Sequence, residues 1–127
     1  MTHPNPPQTV LVVENEAMIR MTAIDALVES GLTVLEAGDA ADALLLLDRH
    51  PEIVLLFTDI DMPGQMNGLD LAVRAVRDRP GLRLILSSGR GGFEGRMVPR
   101  EGKYLAKPYY VDKLVTLVHQ ELSMAEH

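Results

Sequence analysis

Residues 53–64 of the chain, IVLLFTDIDMPG, join an unbroken apolar run to two aspartates that follow it directly. An apolar run without polar alternation is typical of a strand covered on both faces, as in a parallel sheet. Residues 10–13 (VLVV) and 82–86 (LRLIL) have the same character. Weaker strand candidates at 32–37 and 103–106 bring the expected number of strands to five.

Helical patterns separate these strand candidates. Asp39 and Asn67 are predicted N-caps, and Gly31 suits a left-handed residue after the first helix. Four apolar stripes are predicted to face the core: Ala17, Met21, Ile24 and Val28; Ala43, Leu44 and Leu47; Leu69, Ala72, Val73 and Val76; and Val111, Leu114, Val115, Val118 and Leu122. Strands that alternate with helices predict right-handed crossovers and a doubly wound α/β domain.

Two segments break this pattern. Residues 89–102 contain five glycines and a proline, so the helix expected between the fourth and fifth strands is predicted to be short or disordered. Residues 1–8 contain three prolines and read as a disordered tail. The expected organisation is therefore a tail at 1–8 and one domain at 9–127.

Composition excludes several classes of function. The net charge is −6 and the basic residues form no stripe, which argues against direct binding of nucleic acid. The chain has no cysteine, so disulfides and thiolate sites are excluded, and a reducing, cytoplasmic location is expected. No apolar run is long enough to span a bilayer, so we expect no membrane partner.

The residues that end the predicted strands carry the chemistry. The first strand is followed by Glu14, Asn15 and Glu16, and the segment quoted above ends in Asp59 and Asp61. The fourth strand ends in two serines, the second of them residue 88, and a lysine, residue 107, follows the fifth. Ligands bind beyond the carboxyl ends of strands in open parallel sheets, so these acids, the hydroxyl group and the amine are expected to converge on one pocket.

In these motifs the chain resembles the receiver (response-regulator) family of two-component signalling systems over its whole length after the tail. The motifs that carry the resemblance are VVENE (12–16), TDIDMPG (58–64) followed by NGL (67–69), ILSSG (85–89) and YLAKPY (104–109). The resemblance implies a flavodoxin-like sheet of strand order 2-1-3-4-5 and a cis peptide bond before Pro108. It also implies a phosphorylation switch of the stand-alone, single-domain type.

Carried over residue by residue, the resemblance assigns a role to each strand end. Asp59 would be the phosphoacceptor, Lys107 the cation that binds the phosphoryl group, and Ser88 the hydroxyl that turns toward it. Tyr104 would be the aromatic switch residue. The implied ligands of Mg²⁺ or Mn²⁺ are Glu14, Asn15, Asp59 and the main-chain carbonyl of Asp61. Asn15 replaces the usual aspartate, so a weakened metal affinity is expected.

The resemblance also implies the partners. A sensor histidine kinase or a histidine phosphotransfer protein would phosphorylate Asp59, and an unidentified downstream protein would read the change. Apart from self-phosphorylation and slow autodephosphorylation at Asp59, no enzymatic activity is expected.

Two alternatives remain open on sequence alone. The substitution at Asn15 motivates a docking module that works without phosphorylation. Asp59-x-Asp61 after a strand, followed by a serine and a lysine, also resembles phosphohydrolases of the haloacid-dehalogenase type.

Overall fold

The structure, a computed structural model, describes residues 8–89, 99 and 102–125. Its five strands are β1 (Thr9–Val13), β2 (Thr33–Ala37), β3 (Ile53–Asp59), β4 (Arg83–Ser88) and β5 (Gly102–Ala106). All neighbouring pairs are parallel, and the order is β2-β1-β3-β4-β5. The doubly wound sheet and the strand order implied by the resemblance are therefore confirmed.

Within the described residues, four helices cover the two faces of this sheet. They are α1 (Ala17–Glu29), α2 (Ala40–Arg49), α3 (Gly68–Asp78) and α4 (Val111–Ala125). Successive side chains of a strand point to opposite faces, so β1 sends Leu11 and Val13 into one core and Val10 and Val12 into the other. The first core is closed by α2 and α3, and the second by α1 and α4.

The predicted helix ends are confirmed. The Asp39 side chain accepts a hydrogen bond from the backbone N–H of Asp42, at 2.8 Å. Asn67 and Asp70 form a reciprocal capping box at the start of α3. Gly31 follows α1 with a φ of 102°, a left-handed conformation that glycine adopts without steric cost.

Two of the predicted apolar stripes are wrong in part. In α1 the buried residues are Ala23 and Leu27, while Met21 and Val28 are more than half exposed. Most of this helix is apolar, so its composition does not single out one face. In α3, Val73 is 48% exposed.

The predicted tail, apart from Gln8, lies outside the described residues, as does nearly all of the segment in which a short or disordered helix was expected. Within the described part of the chain, no helix is both long and apolar enough to cross a membrane.

Candidate functional site

The carboxyl ends of β1, β3, β4 and β5 meet at one edge of the sheet. Asp59 pairs in register with Ser87, and Ser88 pairs with Ala106. The pairing continues past the strands, since the N–H of Lys107 donates to the carbonyl oxygen of Ser88 at 2.9 Å. The backbone itself therefore brings the chemistry-bearing residues of distant segments together.

The amine of Lys107 is the centre of the site. Its Nζ donates to Oδ2 of Asp59 at 2.9 Å and to Oε1 of Glu14 at 2.6 Å. The side chains of Asp59 and Glu14 are 4% and 5% exposed, and that of Lys107 is 20% exposed. One ammonium group thus bridges two buried carboxylates, one on the last residue of β3 and one on the residue that directly follows β1.

The other carboxylate oxygens accept backbone hydrogen bonds. Oδ1 of Asp59 accepts from the N–H of Asp61 at 3.0 Å, and Oε2 of Glu14 accepts from the N–H of Glu16 at 3.0 Å. The guanidinium group of Arg20, on α1, donates to the main-chain carbonyl of Glu14 at 2.6 Å. Each carboxylate is therefore held in a fixed orientation by the turn that follows its strand.

Burial and the neighbouring charges shift two pKa values at this site. Burial raises the pKa of the Asp59 carboxyl, and the nearby charge of Glu14 adds to the effect. Hydrogen bonds from Asp61 and Lys107 oppose that shift without cancelling it. Burial alone would lower the pKa of the Lys107 amine, but its bonds to Glu14 and Asp59 outweigh burial and leave that pKa raised. Lys107 is thus a cation at neutral pH.

The hydroxyl group of Ser88 points to Asp61. Its Oγ lies 2.5 Å from Oδ2 of Asp61 and 3.0 Å from the carbonyl oxygen of Gly89. Ser88 is buried, whereas Asp61 is exposed at the rim of the site. Sequence reasoning placed Asp61 at this pocket but did not pair its side chain with Ser88, because no sequence pattern specifies the rotamer that brings these two side chains together.

This arrangement of strand ends can be compared with known proteins. Residues 10–119 match the family described as the response regulator receiver domain. The chain belongs to the receiver family. Receiver domains are signalling modules of two-component systems that histidine kinases phosphorylate, so the expected family and signalling class are confirmed.

Similar proteins include both short and long chains. The receiver domain is 31% identical over 119 residues to the response regulator receiver protein CpdR of Brucella abortus, covering 91% of this chain and 98% of that protein. It is 33% identical over 119 residues to the sensor kinase CckA of Brucella abortus, covering 90% of this chain but only 12% of that protein.

A solved CheY-like receiver domain from Methanospirillum hungatei superposes with a TM-score of 0.83 at 23% identity. That comparison covers 94% of this chain and 97% of the other, and it supports the fold alone.

Gly68 places the first turn of α3 against the backbone at the end of β3 in the receiver domain. A Cβ atom at this position would lie 2.6 Å from the carbonyl carbon of Asp59 and 2.7 Å from the Cα of Ile60. The backbone N–H of Gly68 also donates to the carbonyl oxygen of Ile60 at 3.2 Å. Only glycine permits this approach of a helix to the backbone that carries Asp59.

The aromatic residues near β5 differ in their surroundings. Tyr104, assigned above as the switch residue, is 42% exposed, and its hydroxyl donates to the carbonyl oxygen of Pro99 at 3.1 Å. Tyr109 packs edge-on against Phe57, with ring centroids 5.8 Å apart. Burial, with the nearby charge of Glu14, raises the pKa of Tyr109 to about 12. The switch role of Tyr104 stays a prediction.

The Lys107–Pro108 peptide bond is cis, as the resemblance implied.

The donor set fits a water-rich magnesium site. Within the described residues, no group of three or more His, Cys, Asp or Glu side chains is arranged to hold a metal ion. Mg²⁺ does not require one, because it keeps several waters and binds through one or two carboxylates together with phosphate oxygens. An ion at this edge of the sheet would have the carboxylates of Asp59 and Glu14, the amide oxygen of the exposed Asn15 and the carbonyl of Asp61 as its nearest oxygen ligands by position in the chain.

Proposed function

We propose that Asp59 accepts a phosphoryl group from a histidine kinase or a histidine phosphotransfer protein, and that the receiver domain signals this state by protein contact. The observation that carries the proposal is the 2.9 Å bond between Lys107 Nζ and Asp59 Oδ2 at the shared edge of the strands. A carboxylate that attacks a phosphoryl group meets anion repulsion. A fixed ammonium group beside the attacking oxygen reduces it.

In this reaction a carboxylate oxygen of Asp59 attacks the phosphorus atom. The new bond is an acyl phosphate P–O bond, and the P–N bond to the donor histidine breaks, leaving the imidazole with its electron pair. Lys107 keeps its proton throughout, in line with its raised pKa, and acts by its charge. Hydrolysis by water then returns the Asp59 carboxylate and inorganic phosphate, and no turnover of other substrates is proposed.

The proposal includes Mg²⁺, with Mn²⁺ as a substitute. Asp59, the Asp61 carbonyl, Glu14 and the Asn15 amide oxygen would hold the ion, together with water and the phosphoryl oxygens. The ion supplies positive charge that neutralises the phosphoryl oxygens as the bond to Asp59 forms. Asn15 carries no charge, so the affinity for the free ion is low in this proposal.

The output belongs to the same proposal. Phosphorylation turns the Ser88 hydroxyl toward the phosphoryl oxygens, and Tyr104 moves into the space this opens, giving a surface that a partner protein reads. We place this switch in the cytoplasm and assign it to residues 9–127 as one domain, with no contact to nucleic acid or membrane.

Acetyl phosphate provides the test. In this reaction the P–O bond to acetate breaks, and the intact mass of the protein rises by one phosphoryl group. We expect the adduct in the wild type with Mg²⁺, its loss on chelation of the metal, and its loss in Asp59→Asn. Asp25→Asn, which removes an exposed carboxylate from α1, should keep the adduct. An adduct that survives in Asp59→Asn refutes the assignment of the acceptor.

The substitution at Asn15 favours a second candidate, a receiver domain that docks without phosphorylation. The absence of an adduct in the wild type at any magnesium concentration would support it. The phosphohydrolase alternative has no comparable support, since the family match and the strand order both belong to receivers.

A further inference from the structure

Asp61 binds the hydroxyl group of Ser88, which in the proposed function turns to the phosphoryl group on Asp59. Ser88 Oγ lies 2.5 Å from a carboxylate oxygen of Asp61, within the range of hydrogen bonds to an ionised acceptor. The alternative acceptor, the carbonyl oxygen of Gly89, lies 3.0 Å away and carries no net charge. The hydroxyl proton of Ser88 is therefore directed at Asp61.

Ser88 can change its hydrogen-bond partner only through its side chain, because its backbone is fixed in the sheet. Its carbonyl oxygen accepts a hydrogen bond from the N–H of Lys107 at 2.9 Å, and its residue pairs with Ala106 within the sheet. The residue is 3% exposed. A serine side chain has three staggered rotamers, so rotation about its Cα–Cβ bond moves the hydroxyl between acceptors without a shift of the strand.

We infer that Asp61 is a latch on Ser88. In the unphosphorylated protein its carboxylate binds the hydroxyl, and it must lose that bond when the hydroxyl turns to a phosphoryl group on Asp59. This inference rests on the proposed function and adds a residue that sets the balance between its two states. The free energy of the Asp61–Ser88 bond is subtracted from the affinity for the phosphoryl group, because a ligand shifts a two-state balance only by its preference for one state.

A double-mutant cycle with beryllofluoride, a stable mimic of the phosphoryl group, tests the latch. Asp61→Asn replaces the charged acceptor with a weaker, neutral one, so the dissociation constant measured by NMR titration with Mg²⁺ should fall about three- to tenfold. In the Ser88→Ala background the same substitution should have no effect, since the bond it weakens is already absent.

Two results overturn the latch. One is an unchanged affinity in Asp61→Asn. The other is an equal change in both backgrounds, which would mean that Asp61 acts through its charge on the ion or the anion rather than through Ser88.

A second measurement decides the question if the Ser88→Ala protein binds no beryllofluoride. In the unphosphorylated protein, three-bond couplings to the Ser88 β protons should report one rotamer in the wild type and rotamer averaging in Asp61→Asn. The same averaging in both proteins overturns the latch. Failure of the wild type to bind beryllofluoride, together with no adduct from acetyl phosphate, would contradict the proposed function as well, whereas the other negative results leave that function intact.

Discussion

Replacing Gly68 with alanine tests the close packing of α3 against the backbone of Asp59 and Ile60. The added methyl group would lie 2.6 Å from the Asp59 carbonyl carbon and 2.7 Å from the Ile60 Cα. Both contacts are with backbone, so no side-chain rotation relieves them. The start of α3 or the end of β3 must move instead.

The expected cost follows from these contacts. Overpacking a core by one or more methylene groups costs about 1 to 3 kcal/mol, and contact with rigid backbone places this case at the upper end. The higher helix propensity of alanine offsets roughly 1 kcal/mol at most. Gly68→Ala should therefore lower the free energy of unfolding by about 2 kcal/mol, which lowers the urea midpoint by about 1 M.

Urea denaturation of the wild type, Gly68→Ala and Gly81→Ala measures this effect. Gly81 is the matched control because a Cβ atom there would meet nothing within 4 Å. That substitution should leave stability unchanged or raise it by about 0.5 kcal/mol, through the unfolded chain. A Gly68→Ala midpoint equal to that of the wild type would refute the close approach of α3 to the backbone of Asp59 and Ile60.

Three further substitutions probe the charges around the two cores. Asp59→Asn should raise stability at neutral pH. The pKa of the Asp59 carboxyl is raised in the folded protein, so the folded state binds this proton more tightly than the unfolded chain does. The wild type therefore loses stability as the pH rises above 3.8, the ordinary pKa of the group. The stability of the variant relative to the wild type should be greatest at neutral pH and smaller in acid. Arg83 contacts the buried Glu121 at 2.8 Å, so Arg83→Met leaves that carboxylate without its cation and should lower the free energy of unfolding by about 3 kcal/mol in urea. Adding Glu121→Leu should restore most of that stability. Arg20→Lys keeps the positive charge but loses the guanidinium donor to the Glu14 carbonyl, and it should weaken Mg²⁺ binding about tenfold by NMR titration; unchanged affinity would contradict a role of Arg20 in positioning Glu14.

The sequence was sufficient to predict the sheet and the convergence of charges at its edge. Unbroken apolar runs such as residues 53–57 predict buried parallel strands, and the carboxyl ends of parallel strands share an edge. The contact of Asp59 with Lys107 depends in addition on the strand order, which the resemblance to receivers implied. Caps at Asp39 and Asn67 were predictable because a cap depends on residues only three positions apart.

Contacts that depend on rotamers or on helix rotation could not be predicted in this way. The helix α1 is apolar on more than one face, so only its packing against the sheet shows that Leu27 is buried and Met21 is not. The bond between Ser88 and Asp61 depends on a choice among side-chain rotamers. The contact of Arg20 with the Glu14 carbonyl depends on where the first turns of α1 lie over β1. These interactions join residues whose identities alone do not specify a partner.

The charges at the site indicate how the affinity for a divalent cation differs between the unphosphorylated and phosphorylated states of the proposed reaction. Among the described residues, the Lys107 ammonium group contacts both Glu14 and Asp59, so two buried carboxylates share one bridging cation before phosphorylation. Phosphorylation removes the charge of the Asp59 carboxylate but adds a group with a charge close to −2, and its oxygens are themselves magnesium ligands. Asn15, being neutral, leaves much of the affinity for the ion to those oxygens.

Asn15→Asp should therefore raise the Mg²⁺ affinity of the unphosphorylated protein by about tenfold, and that of the beryllofluoride complex by less. In the beryllofluoride complex the mimic already provides ligands for the ion, so one added carboxylate contributes a smaller part of the Mg²⁺ affinity than in the unphosphorylated protein. Magnesium titrations of both proteins, each with and without beryllofluoride, measure the two gains. Equal gains would mean that a carboxylate at residue 15 and the phosphoryl oxygens contribute independently to the affinity for the ion, which would contradict this expectation.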